Sequence, residues 1–251
     1  MRAVKFITLF LIGFLQSFSQ QSDGMGTNLR NFYKGKLHFG FTIAANHTDF
    51  RIHTVSNAAF PDTVIDDVRY KIRSVYTKGD PGFALGIVCD IRVHEYLRAR
   101  FTPNISFGSR SLEYTLQNAK HDSTKIFVKG VESTFLIFPI ELKLQSKRMG
   151  NFGAYVIGGG AYALDLASNK KAAAVSSNAN RLDDAVRIKR DDFIYSAGAG
   201  VDFYLQYFKF GMELKIMNGT KNLIYRDNNI FAKSVDKVNS RMVVFSLTFE
   251  G

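Results

Sequence analysis

The sequence contains very little cysteine, tryptophan or proline. Its 251 residues include one Cys, no Trp and four Pro. The single cysteine, Cys89, excludes an internal disulfide and a cysteine-based metal cluster. The five His residues show no metal-ligand spacing on one element, so we predict no metal and no other cofactor. Hydrophobic residues make up 46% of the chain, which excludes an intrinsically disordered protein.

The sequence also lacks an apolar run of roughly 20 residues, the length that spans a bilayer as a helix. The apolar run 6–15 is shorter, follows Arg2 and Lys5, and precedes the small residues Ser17 and Ser19. This layout predicts a secretory signal peptide over 1–19, followed by a periplasmic leader over 20–35. Without a helical span, any membrane residence requires a β-barrel.

The charge of the chain is strongly basic, with a formal net charge of +11. Nucleic-acid binding would need a clustered basic patch or a stacking motif, whereas the basic residues here are dispersed and interleaved with Asp. We therefore predict no nucleic-acid partner. Dispersed Lys and Arg on loops favour anionic lipid headgroups or the phosphates of lipopolysaccharide as partners.

Strict alternation is the main structural signal. In FKFGMELKI (208–216), Phe, Met, Leu and Ile alternate with Lys, Gly and Glu, which is the period of a β-strand. Seven further segments are predicted to be strands, although the one over 151–164 alternates poorly and rests on its length and Gly content. The other seven cover residues 36–46, 82–93, 97–108, 134–144, 151–164, 192–205 and 241–249.

The connections between these strands alternate in length. Short links surround Glu95, Arg148 and Gln206, whereas the links over 47–80, 110–130, 166–190 and 218–240 are long and polar. An even number of strands with short turns at one end is typical of outer-membrane barrels. We predict an all-β, eight-stranded antiparallel transmembrane β-barrel over 36–251. Its short turns and both termini are expected in the periplasm, and its long loops outside the cell.

The apolar face of such strands could pack on a soluble core, line a barrel interior or contact lipid. Strand-central Gly, Asp, Glu, Lys and Arg occupy the opposite face, which favours a polar interior and a lipid-facing exterior. In the strand over 192–205, Phe193 and Tyr195 lie at one end and Phe203 lies near the other, followed by Tyr207. This spacing predicts an aromatic girdle at each interface.

The charged residues of the strands are predicted to lie inside the barrel. An eight-stranded barrel is just wide enough for side chains, so buried charges must pair. A symmetric hairpin around Glu95 predicts that Asp90 faces Arg100, and one around Gln206 predicts that Asp202 faces Lys209. We interpret these residues as a structural network, in preference to a proton relay; its predicted members are Asp90, Arg92, Arg98, Arg100, Glu141, Lys143, Asp202, Lys209, Glu213 and Lys215.

Two other motifs contain residue types that could carry chemistry. Gly158, Gly159 and Gly160 lack the strand and helix context of a phosphate-binding loop, so we interpret them as closely packed strand backbone. His47, Asp49 and His53, with Ser56 beyond, could supply a base and a nucleophile at the barrel rim. Proximity in sequence does not bring such groups together in space, and we predict no enzyme activity.

The segment KLHFGFTIAANHTDFRIHTV (36–55) resembles the first strand of the PorT/SprT family of Bacteroidetes. The segments FLIFPIELKL, AYVIGGGAYALDL, YSAGAGVDFYL and VVFSLTFEG are similar to that family and to Bacteroidetes barrels more widely. Together these similarities cover most of 36–250. The resemblance implies an outer-membrane barrel with a role in type IX secretion and gliding motility. It carries over no functional residues.

Two hypotheses about function follow from these observations. The resemblance implies an accessory of type IX secretion that acts through surface contacts with other secretion subunits, because a closed eight-stranded barrel is too narrow to pass a folded protein. The alternative is a generic small outer-membrane barrel for envelope stability or surface binding.

Overall fold

Strands account for most of the structure. It is a computed structural model that describes residues 28–55, 62–65, 68–118, 124–167, 188–224 and 233–251. The predicted signal peptide and Ser56 lie outside these residues. Ten strands follow a 3-10 helix at Phe32–Lys34: β1 (Leu37–Thr54), β2 (Asp62–Ile65), β3 (Val68–Arg92), β4 (Leu97–Phe101), β5 (Asn104–Asn118), β6 (Thr124–Gln145), β7 (Phe152–Asp165), β8 (Asp191–Tyr204), β9 (Lys209–Gly219) and β10 (Val235–Glu250).

The sheet closes on itself. Strand β1 pairs antiparallel with both β10 and β3, and the remaining long strands pair antiparallel with their sequence neighbours. Strands β4 and β5 form one crossing that is interrupted at Thr102 and Pro103, since both pair with β3 on one side and β6 on the other. Strand β2 is a short addition that pairs with β3. The result is the predicted eight-stranded antiparallel barrel.

One end of the barrel carries the short turns that the sequence predicts. They cover 93–96, 146–151 and 205–208, and Gly150 supplies the positive φ of 58° that the second one requires. Both described ends of the chain lie there too. The backbone N–H of Asn28 donates to Asn151 Oδ1 at 2.9 Å, and that of Gly251 donates to the carbonyl oxygen of Phe39 at 3.1 Å.

The opposite end differs from the prediction. Much of the predicted polar loops over 47–80 and 110–130 is strand, because β3 begins at Val68, β5 runs to Asn118 and β6 begins at Thr124. Inward side chains of these extensions form an apolar cluster that includes Ile72, Leu112, Tyr114 and Leu116. The extended hairpins therefore bury a small core of their own above the barrel. Most of the predicted loop 166–190 lies outside the described residues.

The two faces of the wall have opposite character, as the alternation predicts. On β9, Leu214 and Ile216 point outward and are 55% and 45% exposed, while Glu213 and Lys215, which alternate with them, are buried inside. The same outward exposure of large apolar side chains recurs around the ring, as at Phe39, Ile87 and Ile140. A contiguous apolar belt of this size on a closed barrel is what a hydrocarbon environment requires.

Aromatic side chains border this belt at both ends of β8. Phe193 and Tyr195 point outward at one end, with Phe193 packed against Tyr162 at 5.3 Å between ring centroids. At the other end Phe203 packs against Phe152 at 5.5 Å, and Tyr207 in the following turn is 81% exposed. Among the described residues no helix is long and apolar enough to cross a membrane.

The orientation of β9 gives a direct test of the lipid-facing exterior. Replacing Leu214 with Arg should lower the free energy of unfolding by about 2–4 kcal/mol, because the new charge would lie in hydrocarbon. The measurement is urea unfolding of the barrel refolded into liposomes. The matched control is Gln206→Arg, which places the same side chain on an exposed turn. Equal stability of Leu214→Arg and wild type would mean that the two faces are assigned the wrong way round.

Candidate functional site

Ten charged side chains fill the half of the lumen nearest the short turns. All are buried, and they come from six of the strands because each occupies an inward position of the alternation. Five are cations and five are anions, so the cluster is electrically balanced. Its members are Arg98, Arg100, Lys143, Lys209, Lys215, Asp90, Glu141, Asp202, Glu213 and Glu250. Nine of these ten are members that the sequence predicts.

Asp90 on β3 is the acceptor for two arginines of β4. It is opposite Arg100 in the strand register, as the hairpin around Glu95 predicts. Arg100 Nη2 lies 2.8 Å from Asp90 Oδ2, and Arg98 Nε donates to Asp90 Oδ1. A carboxylate that receives charge-assisted bonds from two guanidinium groups is held in one rotamer. This contact fixes the register of β3 and β4 at the closed end of the lumen.

Arg100 also carries the network across the lumen. Its Nη2 lies 2.7 Å from Glu250 Oε1 on β10, and its Nη1 lies 3.5 Å from Glu213 Oε2 on β9. Lys209 Nζ lies 2.6 Å from the other oxygen of Glu250. Sequence analysis missed Glu250. The signal was present, since extending the alternation of β10 by one residue beyond Phe249 places Glu250 inside.

A second branch of the network connects β6 with β8 and β9. Lys215 Nζ lies 2.7 Å from Glu141 Oε2 and 2.8 Å from Glu213 Oε1. Lys143 Nζ donates to Asp202 Oδ2 at 2.6 Å. These bonds join strands that are not neighbours in the ring, for β6 and β9 are separated by β7 and β8. They brace the barrel across its lumen.

Two predictions about the network are wrong in part. Asp202 is not in register with Lys209, because that pairing requires a two-residue turn and the turn over 205–208 is two residues longer. Lys209 therefore pairs in register with Tyr204, and its Nζ lies 3.9 Å from Asp202 Oδ2. Arg92 is half-buried near the end of β3 and forms no ion pair with any described residue. It lies beyond the cluster, beside the turn.

Tyr155 on β7 packs into the middle of the network. Its hydroxyl donates to Glu213 Oε2 at 3.0 Å, and Lys143 Nζ lies 3.6 Å from the ring centroid. The ring fits because Gly200 faces it on β8: a Cβ at Gly200 would lie 2.5 Å from the tyrosine oxygen. Gly159 on β7 is likewise required by close packing, since a Cβ added there would lie 2.2 Å from the carbonyl oxygen of Ile140.

Above the charged cluster the lumen holds one small cavity and then closes again. The cavity is about 50 Å³ and is lined by Asn46, Asn104 and Ser106 among others, so it offers room and partners for a few waters. Beyond it Arg110 is sandwiched between the rings of Phe50 and Phe135, at 4.1 Å and 4.7 Å. Side chains thus occupy the lumen both below and above this cavity, as expected for a barrel of eight strands.

The mouth at the short-turn end is covered by the residues that precede β1. Phe32 stacks on His38 with 3.8 Å between ring centroids, and Lys209 Nζ lies 5.0 Å from the Phe32 ring. Arg148 in the second turn donates to the carbonyl oxygen of Asn28 and stacks over Tyr204 at 3.9 Å. The end of the predicted leader thus packs against the barrel as a cap.

The rim residues that could suggest an enzyme are not brought together. His47, Asp49 and His53 lie on the outward face of β1, and Asp49 Oδ1 accepts from the backbone N–H of Phe50. Within the described residues neither His contacts that carboxylate. No group of three His, Cys, Asp or Glu residues in the described part of the chain could hold a metal ion. The carboxylates of the charged cluster engage in ion pairs, which leaves them poorly suited to acid–base chemistry.

Comparison with known proteins agrees with this geometry. A family model described as an outer membrane protein beta-barrel domain matches residues 16–225. The chain belongs to this family. No curated protein matches the sequence. Among solved structures, the chain is similar to Neisserial surface protein A (9% identity, 84% of this chain and 95% of that one, TM-score 0.39). It is also similar to OprG from Pseudomonas aeruginosa (19% identity, 86% of this chain and 97% of that one, TM-score 0.36). A third similar structure is the protease OmpT from Escherichia coli (10% identity, 91% of this chain and 98% of that one, TM-score 0.34).

Membership of the outer membrane barrel family explains the two faces of the wall. The protein is an integral outer-membrane barrel, and its apolar belt contacts the lipid bilayer. The interior network then has to be satisfied within the protein, because its strands are surrounded by hydrocarbon and its lumen is filled.

The role of Asp90 as the shared acceptor of Arg98 and Arg100 can be measured. Replacing Asp90 with Ala should lower the free energy of unfolding by about 3–5 kcal/mol, because it leaves buried positive charge unpaired. The measurement is urea unfolding in liposomes, and Glu95→Ala in the exposed first turn is the control that removes a carboxylate without breaking a buried pair. If both variants unfold like wild type, the network does not stabilise the barrel.

Proposed function

We propose that this outer-membrane barrel is an accessory of type IX protein secretion that acts through surface contacts and is not a conduit. Two observations support the proposal. The segment 36–55, which forms most of β1, resembles the first strand of the PorT/SprT family. The charged cluster and Arg110 occupy the lumen, so the protein can act only through its belt, its rims or its extended hairpins.

The partners we propose are other secretion subunits, together with lipopolysaccharide in the surrounding bilayer. The hairpins at the long-loop end are the larger of the two surfaces, because β3, β5 and β6 extend well beyond the apolar belt. The three short turns form the smaller surface at the other end. His47, Asp49 and His53 remain rim residues in this proposal, and we assign the protein no enzyme activity.

A generic barrel for envelope stability or surface binding is the alternative. The breadth of the matching family favours it, since that family comprises outer-membrane barrels without specifying secretion. Both alternatives predict a stable, filled barrel, and they differ in what its loss does to exported proteins.

Deleting the gene distinguishes the two functions. Secretion of type IX cargo into the medium should fall severely, and uptake of small solutes should not change, because the filled lumen carries no general flux. Complementation with the wild-type gene should restore secretion. Replacing the β5–β6 extension with a short hairpin tests whether that surface docks a subunit. Normal secretion by the deletion strain would leave the generic barrel as the function.

The proposed orientation places the short turns and both termini in the periplasm and the extended hairpins outside. In a Cys89→Ala background, a membrane-impermeant maleimide added to intact cells should label Lys71→Cys on the β3 extension. It should not label Glu95→Cys in the first turn until the outer membrane is permeabilised. If Glu95→Cys is labelled on intact cells and Lys71→Cys is protected, the barrel has the opposite orientation in the membrane.

A further inference from the structure

The outward face of β1, β9 and β10 changes from apolar to polar and basic side chains part-way along the strands. Toward the short turns its side chains are apolar: Leu214 and Ile216 on β9, and Phe245 and Val243 on β10. At the next outward position of each strand the residues become polar or basic, with Asn218 in register with Arg241. The sheet continues unbroken across the change, so the belt passes directly into a hydrophilic surface.

A cleft opens in this surface, with a volume of about 460 Å³. Arg51 and Lys237 supply its positive charge, and His53, Asn239 and Thr220 add hydrogen-bonding groups. Strand pairing places Arg51 and Lys237 diagonally across β1 and β10, because Arg51 is in register with Asn239 and His53 with Lys237. Tyr195, the exposed girdle aromatic of β8, lines the edge of the cleft nearest the belt.

The positive charge of the cleft is not neutralised by the protein. Arg51 and Lys237 are exposed and form no ion pair with any of the residues that the structure describes. Of the two nearest carboxylates on β8, that of Asp191 is already engaged by Lys221, a hydrogen bond that raises the pKa of the Lys221 ammonium. Asp192, which lies against Gly219, is buried on the inner side of the sheet and accepts from the backbone N–H of Lys221. Asp49 faces Arg241 across the strand pair, outside the lining of the cleft. Two cations of the cleft therefore remain available to an anion.

We infer that this cleft binds the phosphate of an acylated, phosphorylated glycolipid in the outer leaflet, with the acyl chains on the adjoining apolar belt. Arginine and lysine are the side chains that bind phosphate oxygens with charge-assisted hydrogen bonds. A ligand that contacts both surfaces must carry an anionic head and an apolar tail. The chemistry thus selects a lipid in preference to a soluble anion or an acidic protein.

The inference gives the proposed lipopolysaccharide partner a defined site, and it rests on the proposed orientation. Its test in vitro does not depend on orientation or on secretion. A failure to bind lipid would leave the secretion proposal standing, and normal secretion in the deletion strain would leave the lipid site standing.

The experiment measures binding of diphosphorylated lipid A to the purified full-length barrel in detergent by native mass spectrometry. The double variant Arg51→Gln/Lys237→Gln should bind about tenfold more weakly than wild type or worse, since it removes both available cations. The control is Arg69→Gln/Lys71→Gln, which removes one exposed Arg and one exposed Lys from β3, away from the cleft. It should bind lipid A as wild type does.

Two further ligands separate the contributions of head and tail. Lipid A stripped of its phosphates should bind wild type as weakly as the double variant binds intact lipid A. Inorganic phosphate should bind far more weakly than lipid A. The inference is overturned if the cleft variant keeps wild-type affinity, if the control loses as much as the cleft variant, or if inorganic phosphate binds as well as lipid A. Thermal melting by circular dichroism verifies that both variants are folded.

Discussion

Charge neutralisation inside a closed lumen is the constraint on which the rest of this structure depends. An isolated buried charge costs several kcal/mol, so each cation in the barrel must have an anion within reach. Asp90 meets this requirement for Arg98 and Arg100, while Glu250 bonds to Arg100 and to Lys209. A slip of one residue in any strand would turn these charges toward lipid and the apolar belt inward. The ion-pair network therefore depends on the register of the strands, and it stabilises that register in turn.

The same constraint limits what the barrel can do. Side chains that brace the wall across the lumen, such as Lys215 with Glu141, also occupy the space through which solutes would pass. The cap of Phe32 at one mouth and the sandwiched Arg110 nearer the other close the lumen at two levels. What remains available for function is the exterior, where the outward face of the wall contacts lipid and the hairpins and turns are exposed.

The exterior is graded along the strands in a way that suits an asymmetric membrane. Apolar side chains and girdle aromatics give way to Arg241 one outward position beyond Val243, and to Arg51 and Lys237 within about two further positions. Beyond that level the hairpins bury an apolar cluster around Leu112 and Tyr114, so they are packed structures and not free loops. The structure therefore presents a packed, basic surface next to the headgroups, whereas the composition of these segments suggests polar loops.

The sequence by itself determined which side chains point in and which point out, because alternation is a local property of each strand. It also determined the contact between Asp90 and Arg100, since a short turn couples those two positions directly. Features of longer range were decided by the tertiary structure. The pairing of Asp202 with Lys143 depends on the curvature of the ring, and the register of Lys209 depends on a turn two residues longer than the predicted pairing with Asp202 requires. The extensions of β3 and β5 could not be predicted from the sequence, because exposed polar residues interrupt the alternation of apolar and polar side chains. They are stabilised by tertiary packing, as of Ile72 in the apolar cluster.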